Sequence, residues 1–222
     1  MTNKRTLIIG CAAALTLSCA GPLRAGEITS FSWSSGIASV AGVTIVPPPD
    51  PNNDDVAGMS LNYLHVTQKN YMGVGPVDIE FTVAHTGGVT EYTIEEGVSN
   101  STGLDFIEYR IELGYGMGSA FVPSPPGDGL DFDAPDYNLP TSFSPFFSTV
   151  TVTEDVITAT GGVLPNGAFS LPYFTFAIDV PDGISSFTLR QVPTAVPEPS
   201  CMVVLTIGAM LWRVRRRGAL KN

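Results

Sequence analysis

Val77-Asp78-Ile79-Glu80-Phe81-Thr82-Val83-Ala84 and, further along, Ile107-Glu108-Tyr109-Arg110-Ile111-Glu112-Leu113 are the stretches that decide the fold. In the first, Val77, Ile79, Phe81 and Val83 alternate with Asp78, Glu80, Thr82 and Ala84; in the second, Ile107, Tyr109, Ile111 and Leu113 alternate with Glu108, Arg110 and Glu112. Successive side chains of a strand point to opposite faces, so this period of two predicts half-buried strands with one wet face.

Outward from these, weaker candidates run over 37–46, 60–66, 89–95, 147–157, 174–180 and 185–192. Turn residues punctuate them at Gly87-Gly88, Asn100 to Gly103, Gly161-Gly162, Asn166-Gly167 and Asp182-Gly183, where glycine and asparagine tolerate the backbone angles a tight turn needs. The pattern predicts an all-β domain of about eight short antiparallel strands, a β-sandwich or jelly roll, with a more open barrel as the alternative. Two proline-rich, acidic stretches, 47–55 and 123–145, read as long loops. No internal repeat is present, and 193–199 reads as an extended linker.

All 21 acidic residues lie between Glu27 and Glu198, a span with three basic ones, Lys69, Arg110 and Arg190, so its formal charge is −18. Such a surface repels nucleic acid and anionic lipid and offers oxygen ligands to hard cations. The three cysteines, Cys11, Cys19 and Cys201, all fall outside that span. Disulfide stapling and thiolate catalysis are therefore excluded from the body.

Both ends read as targeting segments. Lys4 and Arg5 precede an apolar run from Leu7 to Leu17 and then small residues, the order of a secretory signal peptide over 1–25, cleaved after Ala25 or Ala20. At the other end, Val196-Pro197-Glu198-Pro199-Ser200 leads into an apolar run from Cys201 to Trp212, followed by Arg213, Arg215, Arg216 and Arg217. Prolines flanking Glu198 bar a helix before Ser200. About 14 residues of helix beyond it give about 21 Å, against about 30 Å of hydrocarbon, a marginal transmembrane span over 200–217 whose arginines hold that end in the cytoplasm.

These three parts, in this order, resemble the PEP-CTERM sorting signal of Gram-negative bacteria. The resemblance covers about 196–217 and implies processing by an exosortase-like membrane enzyme, with Pro197, Glu198, Pro199, Arg213, Arg215, Arg216 and Arg217 as the sorting signal. It also implies export through the secretion machinery and signal peptidase, passage through the inner membrane, and a final place at the cell surface or in an exopolysaccharide matrix. The body is similar to the exported β-domains found ahead of such tails, notably in Asp128-Gly129-Leu130-Asp131-Phe132, 176–182 and 187–191, a likeness that brings no catalytic residues.

Candidate chemistry in the body is sparse. His65 and His85 are the only histidines, no serine-centred nucleophile elbow occurs, and thiols are absent, leaving little material for nucleophile and base pairs. Asp128, Asp131, Asp133 and Asp136 fall in one glycine-containing loop, and such closely spaced carboxylates suit calcium, although the spacing matches no EF-hand. Asp50, Asp54 and Asp55 form a lesser group of the same kind, and Trp33 with Tyr63, Tyr71, Tyr115 and Tyr137 is the material for sugar recognition. The expectation is a non-enzymatic surface or matrix protein without an obligate cofactor. A carbohydrate-binding module and a glycoside-active enzyme are the alternatives, told apart by an exposed aromatic row or by two facing carboxylates in a cleft.

Overall fold

Twelve strands and one 3-10 turn make up the fold in the computed structural model, which describes residues 26–46, 53, 62–84, 88–133 and 141–197. The strands are β1 (Glu27–Ser34), β2 (Ala38–Val40), β3 (Val43–Ile45), β4 (Tyr63–Tyr71), β5 (Val77–Ala84), β6 (Val89–Asn100), β7 (Leu104–Tyr115), β8 (Val122–Pro123), β9 (Thr149–Val152), β10 (Val156–Thr160), β11 (Phe174–Pro181) and β12 (Ser186–Pro197). A seven-stranded sheet runs β1-β5-β12-β7-β10-β9, with β8 also paired to β7, and a five-stranded sheet runs β11-β6-β4-β2, with β3 also paired to β4. The all-β expectation holds, with two sheets in a sandwich-like arrangement.

The two deciding stretches became β5 and β7, both in the larger sheet with β12 between them. Val77, Ile79, Phe81, Val83, Tyr109, Ile111 and Leu113 are buried, as their alternation requires, whereas Ile107, expected on the same face, is exposed. Opposite them, Tyr71, Tyr92, Phe174 and Phe176 come from the smaller sheet, and Phe143 enters from a loop to lie 4.7 Å, centroid to centroid, from Phe174. Each such aromatic contributes about 1.5–3 kcal/mol by leaving water, so the layer between the sheets carries most of the stability.

Three expectations need correction. The smaller sheet is mixed, because β4 and β6 are parallel neighbours. A parallel pair needs a crossover, and β5, lying in the other sheet, supplies it. The segment 193–197, expected as linker, is instead the end of β12, paired with β7 as far as Pro197 opposite Leu104. The candidate over 147–157 divides into β9 and β10, which turn back on each other. The signal segment 1–25 and the apolar segment 200–217 lie outside the described residues, and among the described residues no helix is long and apolar enough to cross a membrane.

Candidate functional site

A buried polar group sits between the sheets, assembled from four strands. Lys69 and Tyr71 come from β4, Glu96 from β6, Tyr109 from β7 and Gln191 from β12, and all five are wholly shielded from solvent. Lys69 faces inward because β4 changes phase: its buried residues run Leu64, Val66, then Lys69, Tyr71. The change is a bulge, since Val66 pairs with Glu96 and Lys69 with Val98, so two residues of β4 oppose Gly97 alone. A side chain at Gly97 would come within 2.6 Å of the Thr67 carbonyl, so glycine is what lets the bulge lie against β6.

Glu96 holds both neighbours at once. The Lys69 ammonium donates to Glu96 Oε2 at 2.5 Å, and Gln191 Nε2 donates to Glu96 Oε1 at 2.5 Å. Gln191 Oε1 accepts from Lys69 Nζ and from the Tyr109 hydroxyl, the latter at 2.6 Å. Tyr109 has one proton to give, so in the 3.1 Å contact between the two tyrosine hydroxyls Tyr71 is the donor. These partners also fix which end of the Gln191 amide is oxygen.

Electrostatics follow from the burial. Desolvation pulls the Lys69 pKa from 10.5 down to about 8, against the opposing attraction of Glu96. Burial drives Tyr71 and Tyr109 the other way, well above the usual range, and the charge on Glu96 adds to both. The group therefore combines an ammonium that gives up its proton more readily than a free lysine, a carboxylate and an amide in mutual contact, backed by two protonated phenols.

Of the loop carboxylates singled out for calcium, the structure does not bring Asp128 together with its neighbours. Asp128 accepts from the Tyr115 hydroxyl at 2.6 Å, Ser124 Oγ at 2.7 Å and Leu130 N at 3.0 Å, which organises the loop itself. Burial first, and then this bond to Asp128, push Tyr115 up to about 12. Asp131 pairs through its backbone with Asp179 of β11. Asp133, in the left-handed region at φ 54°, joins Glu91 and Asp179, with one carboxylate oxygen of each within 4.8 Å of the others. Asp136, Asp50, Asp54 and Asp55 lie outside the described residues.

Glu91 and Asp179 went unremarked in the sequence, although they stand directly opposite each other across β6 and β11. Both are buried, as is Asp133, and all three are engaged by polar or electrostatic interactions. Their burial closes them to a sugar.

The aromatic residues considered for sugar recognition scatter. Tyr71 is core, Tyr63 and Tyr115 are half-buried, Trp33 is the exposed large aromatic among the described residues, and Tyr137 lies outside them. On the sorting signal, Pro197 ends β12, while Glu198, Pro199, Arg213, Arg215, Arg216 and Arg217 lie outside the described residues. The chain matches no family model, and no curated protein and no solved structure is significantly similar to it.

Proposed function

We propose that this chain is an exported surface or matrix protein without catalytic turnover, carried out by its amino-terminal leader and sorted by a PEP-CTERM-like tail. The observation that carries this reading is the ordered triad at the carboxy terminus: Pro197-Glu198-Pro199, the apolar run to Trp212, then four arginines in five positions. An acidic body between two basic ends follows the rule that positive flanks stay in the cytoplasm while the segment between them is translocated. A two-sheet body whose last strand stays paired up to Pro197 suits this too, since Glu198 and Pro199 then follow the folded unit in sequence. Association with exopolysaccharide rests on the resemblance of the tail. Direct sugar binding has less support, because no row of exposed aromatics lines a sheet face among the described residues.

The test replaces Pro197, Glu198 and Pro199 together with alanine. Export should continue while a tail-specific antibody finds the carboxy-terminal segment retained in the membrane fraction. Normal removal of the tail in that variant would contradict the proposal.

A further inference from the structure

The contacts around Gln191 are those of a reaction as much as of a hydrogen-bonded core. Lys69 Nζ touches the amide oxygen of Gln191, which places the carbonyl carbon Cδ one bond of about 1.23 Å beyond the atom it touches. Glu96 reaches the nucleophile with Oε2 and the leaving nitrogen with Oε1, each at 2.5 Å. The Tyr109 hydroxyl points at Oε1 from 2.6 Å, where negative charge would develop on attack. Nucleophile, acid–base group, leaving group and oxyanion donor are thus all in place, and all are fully buried from competing water.

We infer that Lys69 and Gln191 form an intramolecular isopeptide bond between the two sheets, by a self-catalysed transamidation in which Glu96 moves the protons and Tyr109 stabilises the oxyanion. Nζ gives a proton to Glu96 Oε2 and, as a neutral amine, attacks Cδ. The carbonyl electrons shift to Oε1, held by Tyr109. As they return, the Cδ–Nε2 bond breaks and ammonia leaves. Of the three protons on the ammonium, one stays on the new amide nitrogen, one reaches the departing nitrogen through Glu96, and one remains on the Glu96 carboxyl. Charge is balanced throughout, and no oxidant, metal or cofactor is consumed.

Burial favours the step on two counts. It lowers the Lys69 pKa toward neutral pH, which eases loss of the proton, as in other desolvated lysine nucleophiles, and it holds Nζ against the amide it attacks, which removes part of the entropic barrier. Tyr71 acts through Tyr109, as a positioning residue that fixes the direction of the hydroxyl. The product joins β4 of the smaller sheet to β12 of the larger one across 122 residues of chain. A body with no cysteine thereby gains a covalent staple that no reductant opens.

The experiment is peptide mapping of the full-length chain purified after folding. Digestion at glutamates is preferred to trypsin, because cutting after Arg190 would leave Gln191 at a new amino terminus, where it loses ammonia by cyclising on its own. The expected result is a branched species that joins the Lys69 and Gln191 peptides with a mass lower by one ammonia. In Glu96→Gln the two peptides should separate at their unmodified masses. Tyr109→Phe, a milder change that keeps the ring, should form the same species at least tenfold more slowly, in line with the loss of one oxyanion donor. Separate, unmodified peptides from the wild-type chain would overturn the inference. A branched species forming at the wild-type rate in Glu96→Gln would overturn the role given to Glu96.

Discussion

Two of the buried polar groups among the described residues differ in sign. Lys69, Glu96 and Gln191 bring both charges and an amide together from strands of both sheets, with a named partner for each side-chain nitrogen and oxygen. Glu91, Asp133 and Asp179 bring one sign, from two strands of the smaller sheet and a loop. The first group has direction: a donor, an acceptor and a proton carrier are aligned on one carbonyl. The second gathers three carboxylates of like sign, with one oxygen of each within 4.8 Å of the others. A buried ion pair returns little net stability against well-packed apolar residues, so an arrangement as complete as the first points to what those atoms do to one another. Acidity alone, which dominates the sequence, marks neither place.

The largest effect should come from breaking the mixed group. A link across a loop of about 100 residues removes about 4.7 kcal/mol of chain entropy from the unfolded state. At about 2–4 °C per kcal/mol for a domain of this size, Glu96→Gln should lower the melting midpoint by roughly 10–20 °C, read by calorimetry. Freshly folded and aged samples of Tyr109→Phe should differ in the same direction as the bond slowly forms. Coincident midpoints for the wild-type chain and Glu96→Gln would erase the distinction between the two groups.

A smaller effect is expected at the acidic group. Asp179→Asn leaves two carboxylates where there were three and relieves like-charge repulsion, so the midpoint should move by no more than about 4 °C, or about 1 kcal/mol. A fall as large as that of Glu96→Gln would mean that the three carboxylates neutralise a cation. Parallel melts in calcium and magnesium would then show whether it is a metal.

The most specific effect is in pH. Without the bond, Lys69 binds its proton less tightly folded than unfolded, with a pKa of about 8 against 10.5. The unfolded state then holds more protons between those values, so stability rises with pH across that window. This rise should appear in Tyr109→Phe before the bond forms and be missing from the wild-type chain, where Lys69 is an amide. Tyrosines work the opposite way in both proteins. Burial raises Tyr92 to about 12, so its contribution is complete below pH 10 and is lost as pH climbs through 12. Chemical denaturation at stepped pH separates the two trends, and a wild-type rise between pH 8 and 10 equal to the variant's would speak for a free amine.

Much of the fold was legible because alternation reports which face is dry. β5 and β7 were plain for that reason, and β12 showed over most of its length. β1 was not, since only Ile28 of its eight residues is buried: it is an edge strand held by its backbone pairing to β5, and an edge asks little of its side chains. The parallel pairing of β4 with β6 left no local trace, because its crossover is a strand of the other sheet. The loop acids were visible as a cluster, but only Asp133 among those described met the buried carboxylates, because Asp128 was taken up by Tyr115 and Ser124. Lys69, Glu96 and Gln191 are separated by 27, 95 and 122 positions, so only the folded chain assembles them. One clue was present: a lone lysine in a strongly acidic body, within a stretch that ends on Tyr71 two residues later. The bulge that turns it inward could not be read from spacing alone.

The most direct measurement is a high-resolution crystal structure of the mature wild-type body. The account predicts continuous density between Lys69 Nζ and Gln191 Cδ, a planar amide with a C–N bond of about 1.33 Å, and no Nε2 facing Glu96. Two separate side chains, with the ammonium at an ordinary hydrogen-bond distance of about 2.9 Å from an intact amide oxygen, would contradict it.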